Sequence, residues 1–242
     1  MTPLQTELNR LYAVSPLQES TPDTGKHGLT ATDGTVRAMV LELARPADWQ
    51  ALSAAWRGVQ TDLKLPAPAI AVNGVDGYQL WFSLATPTPV AQAELFLEML
   101  RTRYLGAISP NRVTRLPGSK NWKIPGRQKD TGMWSAFVAP DLASIFSEEP
   151  WLDIPPSPDA QASVLARLES IPPATFDAVL KPLSPSFGAA PAMPAAAAPR
   201  PDGGSDPLQF LRDVMNNPTI ELSHRIEAAK ALLPYTREHK SL

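Results

Sequence analysis

The chain contains no cysteine, which excludes disulfides, cysteine-ligated zinc, iron–sulfur clusters and thiol catalysis together. Its three histidines, His27, His224 and His239, lie in a polar N-terminal stretch and near the C-terminus. No two of them stand at metal-ligand or catalytic-triad spacing. There is no apolar run of about 18 residues, and the first residues lack the basic-then-apolar order of a leader. A soluble, cytoplasmic protein without membrane contact is the expectation. The net charge is only -2 over 242 residues, so nucleic acid, if bound, is bound at a patch rather than by a general positive coat.

The positive charge that is present is concentrated. From Arg101 to Lys129 the chain carries eight Lys or Arg and no Asp or Glu. Within this stretch, Arg112, Arg115, Ser119, Lys120, Asn121, Trp122, Lys123 and Arg127 are candidate nucleic-acid or nucleotide contacts. Leu116-Pro117-Gly118 reads as a tight turn, which lets Arg115 on one side and Lys120, Asn121 and Lys123 on the other converge on one phosphate, with backbone N–H groups beside Gly118 joining them. Trp122 is either a core anchor for the loop or a stacking surface for a base.

Around this loop the pattern is α+β. A short helix over 4–13 and a polar loop to residue 35 precede the first strand, 36–43. Pro46 then opens a helix with Trp49, Leu52, Trp56, Val59 and Leu63 on one face. Apolar runs at 67–72 and 78–84 flank Asn73-Gly74-Val75-Asp76-Gly77, a hairpin signature. Thr88-Pro89 caps and starts a second helix to about residue 104, burying Val90, Leu97 and Leu100. A strand at 133–138 follows only after the basic loop, then short helices at 140–146 and 159–170. The expected core is an antiparallel-rich sheet backed by helices, a split βαβ unit, within a domain spanning 36–183.

Residues 184–206 are a Pro/Ala/Gly linker that cannot bury enough surface to fold. Beyond it, 207–242 reads as a helical hairpin, with Phe210, Leu211 and Val214 facing Ile226, Ala229 and Leu233. About 36 residues are too few for an independent core, so self-association, docking or a protein partner is expected of this tail.

Strand alternation puts Gln79 and Trp81 on one face and Tyr78 and Leu80 on the other. A Gln aligned with the basic loop could read a sugar or base; a partly buried sheet residue is the plainer reading. Tyr78-Gln79-Leu80-Trp81, with Arg115-Leu116-Pro117-Gly118-Ser119-Lys120-Asn121-Trp122-Lys123 about 35 residues on, resembles two motifs of the RepB-type replication primases of plasmids and phages, a branch of the archaeo-eukaryotic primase superfamily. The resemblance implies a primase-type α+β fold in which Arg115, Asn121 and Lys123 face nucleoside triphosphate or template phosphate, with DNA as partner.

Enzymes of that superfamily hold Mg2+ or Mn2+ with an Asp-x-Asp pair and a further acid, because two-metal phosphoryl transfer needs clustered carboxylates. Here the corresponding strand offers only Glu42, with Asp76 in the hairpin turn and Asp141 after the late strand as the other candidates. The tail, from Asp206-Pro207-Leu208 to Leu233-Pro234-Tyr235, resembles a helical module of phage proteins that include small terminase subunits. Three functions follow in order of expectation: a replication-associated nucleic-acid binder with an incomplete metal site, an active DNA primase, and a phage DNA-packaging adaptor.

Overall fold

The computed structural model describes residues 1–15, 29–31, 33–117, 124–181, 215–216 and 229–230. The chain divides into two compact units, Met1–Phe187 and Gly188–Leu242. The expected linker and most of the expected tail hairpin lie outside the described residues.

Residues 1–181 are α+β. Five strands, β1 (Thr35–Ala44), β2 (Ala69–Val72), β3 (Gly77–Pro89), β4 (Val113–Leu116) and β5 (Ala136–Val138), form one sheet in the order β4-β1-β3-β2-β5, every neighbouring pair antiparallel. Because β1 and β2 both run antiparallel to the β3 between them, they are parallel to each other. The helix α2 (Trp49–Thr61) joins them. This is the split βαβ unit expected from the sequence.

Both faces of the sheet are covered, which explains why β1 and β3 read as near-continuous apolar runs. On the first face, Met39, Leu41, Leu43, Ile70, Val72, Tyr78, Leu80 and Phe82 meet Leu52, Val59, Phe96, Leu97 and Leu100 of α2 and α3 (Val90–Tyr104). Phe96 stands edge-on to Phe82, ring centroids 5.4 Å apart, and meets Phe176 of α5 (Pro173–Leu180) at 5.3 Å. On the second face, Ala38, Val40, Ala71, Trp81 and Phe137 pack under Leu8, Leu11 and Tyr12 of α1 (Pro3–Tyr12) and Leu165 of α4 (Pro158–Leu165).

Two arginines fasten that second layer. Arg37 on β1 donates to the carbonyls of Arg10, Ala13 and Leu84, and Arg10 to those of Leu165 and Leu168. Guanidinium groups thereby satisfy carbonyls left open where α1 and α4 end. The β5 edge is closed by Gln161, whose amide accepts from the Phe137 N–H at 2.7 Å and donates to its carbonyl at 2.8 Å. Such side-chain pairing blunts an open strand edge.

Several boundaries differ from the sequence reading. Asp48, not Pro46, starts α2: its carboxylate accepts from the Ala51 N–H at 2.9 Å. Thr88 does not cap α3; its hydroxyl turns back to the Thr86 carbonyl, and β3 runs on to Pro89. The strand expected at 133–138 shortens to Ala136–Val138, because Trp134 pairs instead with Leu152. The helix expected at 159–170 ends at Leu165, the one at 140–146 is a 3-10 segment at Ala143–Ser147, and β4 and α5 are additions. The hairpin is as expected. The Asn73 side-chain oxygen accepts from Val75, Asp76 and Gly77 N–H groups, each at 2.9 Å, and Gly74 supplies φ +79°.

Candidate nucleic-acid interface

Register fixes one row of residues across the second face: Thr114 on β4, Glu42 on β1, Gln79 on β3, Ala71 on β2 and Phe137 on β5. The next row is Leu116, Val40, Trp81 and Ala69. Gln79 and Trp81 do share a face, as alternation requires. Their side chains form a relay: the Trp81 indole N–H donates to Gln79 Oε1 at 2.8 Å, and Gln79 Nε2 donates to Glu42 Oε2 at 2.5 Å.

Trp81 is not a stacking surface. It is 1% exposed, wedged between Tyr12 at 5.3 Å and Phe137 at 5.6 Å, so its role in this fold is to fill the second-face core. Sequence alternation identified its face but not the α1 and α4 cover. Gln79 and Thr114 remain half-buried and polar.

Glu42 is pushed above the usual carboxylate range chiefly by burial; the Asp76 charge adds to the rise, while hydrogen bonds from Gln79 and Asn73 and the Arg45 charge oppose it. Asp76 itself accepts from Asn73 Nδ2 at 3.2 Å. Two of the three candidate acids are thus neighbours, one on the sheet and one in the hairpin. Asp141 is exposed beyond the end of β5, and β5 lies three strand spacings, roughly 14 Å, from β1. Among the described residues, no three or more His, Cys, Asp or Glu are grouped to hold a metal ion.

The expected convergence of cations takes a different form. Arg112 donates to the Ala44 and Pro46 carbonyls at 3.3 and 2.9 Å and lies 3.9 Å from Asp48, bracing the turn between β1 and α2. Arg115 alternates away from Thr114 onto the first face, where its guanidinium pairs with the Glu98 carboxylate of α3. The sheet therefore separates Arg115 from Gln79. Arg127 is exposed, and its contact with the Gly132 carbonyl is long at 3.5 Å. Ser119, Lys120, Asn121, Trp122 and Lys123 lie outside the described residues.

The residues that flank that basic segment are described. Leu116, the last residue of β4, is buried in the second-face cluster, and Ile124 packs against the same cluster. The chain leaves and rejoins one face, the face that carries Thr114, Glu42 and Gln79. Sequence reasoning missed two residues here. One is Glu98, which stands three positions before Arg101 and so just outside the run of cations; the other is Trp134, half-buried beside Ile124. Glu98 was legible as an i,i+3 partner of Arg101; its link to Arg115 depends on the tertiary fold. Compared with family models and with curated proteins, the chain matches none.

Proposed function

We propose that this chain is a replication-associated, single-stranded nucleic-acid-binding protein of a phage or plasmid, acting in the cytoplasm on a primase-like fold. The observation that carries the reading is where the residues flanking 118–123 lie: Leu116 and Ile124 both pack on the second face, the face that also carries the half-buried polar Thr114 and Gln79, and the sequence between them supplies Lys120, Asn121, Trp122 and Lys123. Cations spread along a sequence, with amide and hydroxyl side chains on the same sheet face as its flanks, suit sugar-phosphate more than a compact anion.

The residues present do not fit a two-ion centre. Glu42 is engaged by Gln79, Asp76 by Asn73, and Asp141 is remote, whereas such centres need clustered carboxylates around ions about 3.5–4 Å apart. Binding rather than nucleotidyl transfer is therefore the function supported best. Anisotropy of a labelled oligothymidylate is the test: a dissociation constant of about 1–100 μM near physiological salt, tightening as salt falls, is expected. No binding at low salt overturns the reading, and primer synthesis abolished by Glu42→Ala would replace it with the catalytic one.

A further inference from the structure

We propose that a cleft at the β5 edge of the second face, built around Trp134, is a stacking subsite for one unpaired nucleobase. The proposal rests on the nucleic-acid reading and gives it a place for a base. The cleft has a volume of about 410 Å³, within the range of about 300–1,000 Å³ common to ligand sites. Leu4, Ile124, Trp134, Phe137, Pro155 and Pro156 are among the residues that line it.

Trp134 is fixed at its backbone while its ring borders the cleft. Its N–H donates to the Leu152 carbonyl at 2.9 Å and its carbonyl accepts from the Leu152 N–H at 3.0 Å. Its neighbour Ser135 is fixed to Gly126 by three hydrogen bonds of 2.7–3.0 Å. The indole N–H has no partner among the described residues, and the residue is half-buried. An aromatic ring on an immobile backbone, with one side in an apolar cleft, loses little entropy when a second ring covers it.

Apart from the Trp134 indole N–H, the Gln161 side chain and the Gly126 N–H of the cleft are already engaged. Gln161 is committed to both backbone groups of Phe137, and the Gly126 N–H to Ser135 Oγ. An occupant is therefore held by its π-face and shape rather than by hydrogen-bond readout, which is how bases of any identity are taken by single-strand binders.

A cationic residue occupies the backbone position paired with Trp134. Arg127 pairs directly across from Trp134, between the Ser135–Gly126 and Gln128–Met133 backbone hydrogen bonds. This is the non-hydrogen-bonded kind of antiparallel pair, with α-carbons about 4.5 Å apart and side chains on the same side. An exposed guanidinium next to an aromatic platform matches the phosphate next to a base. Ile124, the first described residue after the basic segment, is among those lining the cleft.

The test uses the full chain with two labelled oligomers of about 16 nucleotides, one oligothymidylate and one of abasic sugar-phosphate with the same charge. Wild type is expected to bind the base-bearing oligomer about tenfold tighter or more. Trp134→Ala is expected to lose that advantage with its salt slope unchanged, Trp134→Phe to keep it, and Arg127→Ala to make the slope shallower, with circular dichroism checking the fold of each. Equal affinity of wild type for the two oligomers, or a Trp134→Ala loss that is the same for both, overturns the subsite and leaves backbone binding standing. Binding of neither oligomer overturns both readings, and a change in sedimentation with DNA affinity intact overturns the subsite by assigning the cleft to a second copy of the chain.

Discussion

The Glu98 carboxylate of α3 binds the Arg115 guanidinium of β4 while also accepting from Arg101, three residues along its own helix. The Arg101 hydrogen bonds first, and the Arg115 charge after them, hold this carboxyl at about 2, against partial desolvation. A stretch that reads as eight unopposed cations is thus partly neutralised from outside its own bounds, and on the face of the sheet away from Gln79.

Arg115→Ala is therefore expected to leave the salt dependence of single-strand binding unchanged. Both partners are more than a third exposed, with side chains 39% and 38% accessible, so the loss of stability should stay under about 1 kcal/mol. The same variant should raise the Glu98 titration, read by NMR, toward the ordinary value of 4.5. The folded-state pKa is depressed, so this ion pair contributes above 4.5 and is lost as pH falls toward 2. A shallower salt slope in Arg115→Ala would show instead that this cation contacts phosphate.

Glu42 has the opposite sign. Burial raises its folded-state pKa above the ordinary value of 4.5, so the folded chain binds more protons than the unfolded one as pH climbs from that value. Stability contributed by the protonated form is complete below 4.5 and is lost as pH rises through the raised value. Glu42→Gln, which keeps an acceptor for Gln79 Nε2, should raise Tm at neutral pH and change it little near pH 4. A variant less stable than wild type at neutral pH would mean that the charged carboxylate is needed where it stands.

Gly77 faces Ala44 across β3 and β1, and a Cβ there would lie 2.6 Å from the Ala44 Cβ and 2.7 Å from the Leu43 carbonyl oxygen. Neither atom can step aside without moving β1. Gly77→Ala should cost about 1–3 kcal/mol in denaturant unfolding. Unchanged stability would mean that the two central strands separate more easily than their pairing implies.

The parts of the fold legible in the sequence are those that local chemistry decides. Asn73-Gly74 fixes a hairpin because Asn73 satisfies three N–H groups by itself, and the α2 stripe of Leu52, Trp56 and Val59 is set by helical spacing. β4 was illegible because Val-Thr-Arg-Leu is extended only by pairing with Val40–Leu43 of β1. Pro172-Pro173 reads as punctuation, yet Pro173 is the first residue of α5. In the site, alternation put Gln79 and Trp81 together correctly, but burial of Trp81 depends on a helix about 70 residues earlier in the chain. The separation of Arg115 from Gln79 likewise follows from register, which no single segment encodes.

The central claim is that the segment between Leu116 and Ile124 grips single-stranded nucleic acid through its phosphates. The most direct test is the slope of log affinity against log salt for an oligothymidylate, compared between wild type and Lys120→Ala/Lys123→Ala. Two lost phosphate contacts should make the slope shallower by about 1.4, with the fold unchanged by circular dichroism. Identical slopes in the two proteins would contradict the claim.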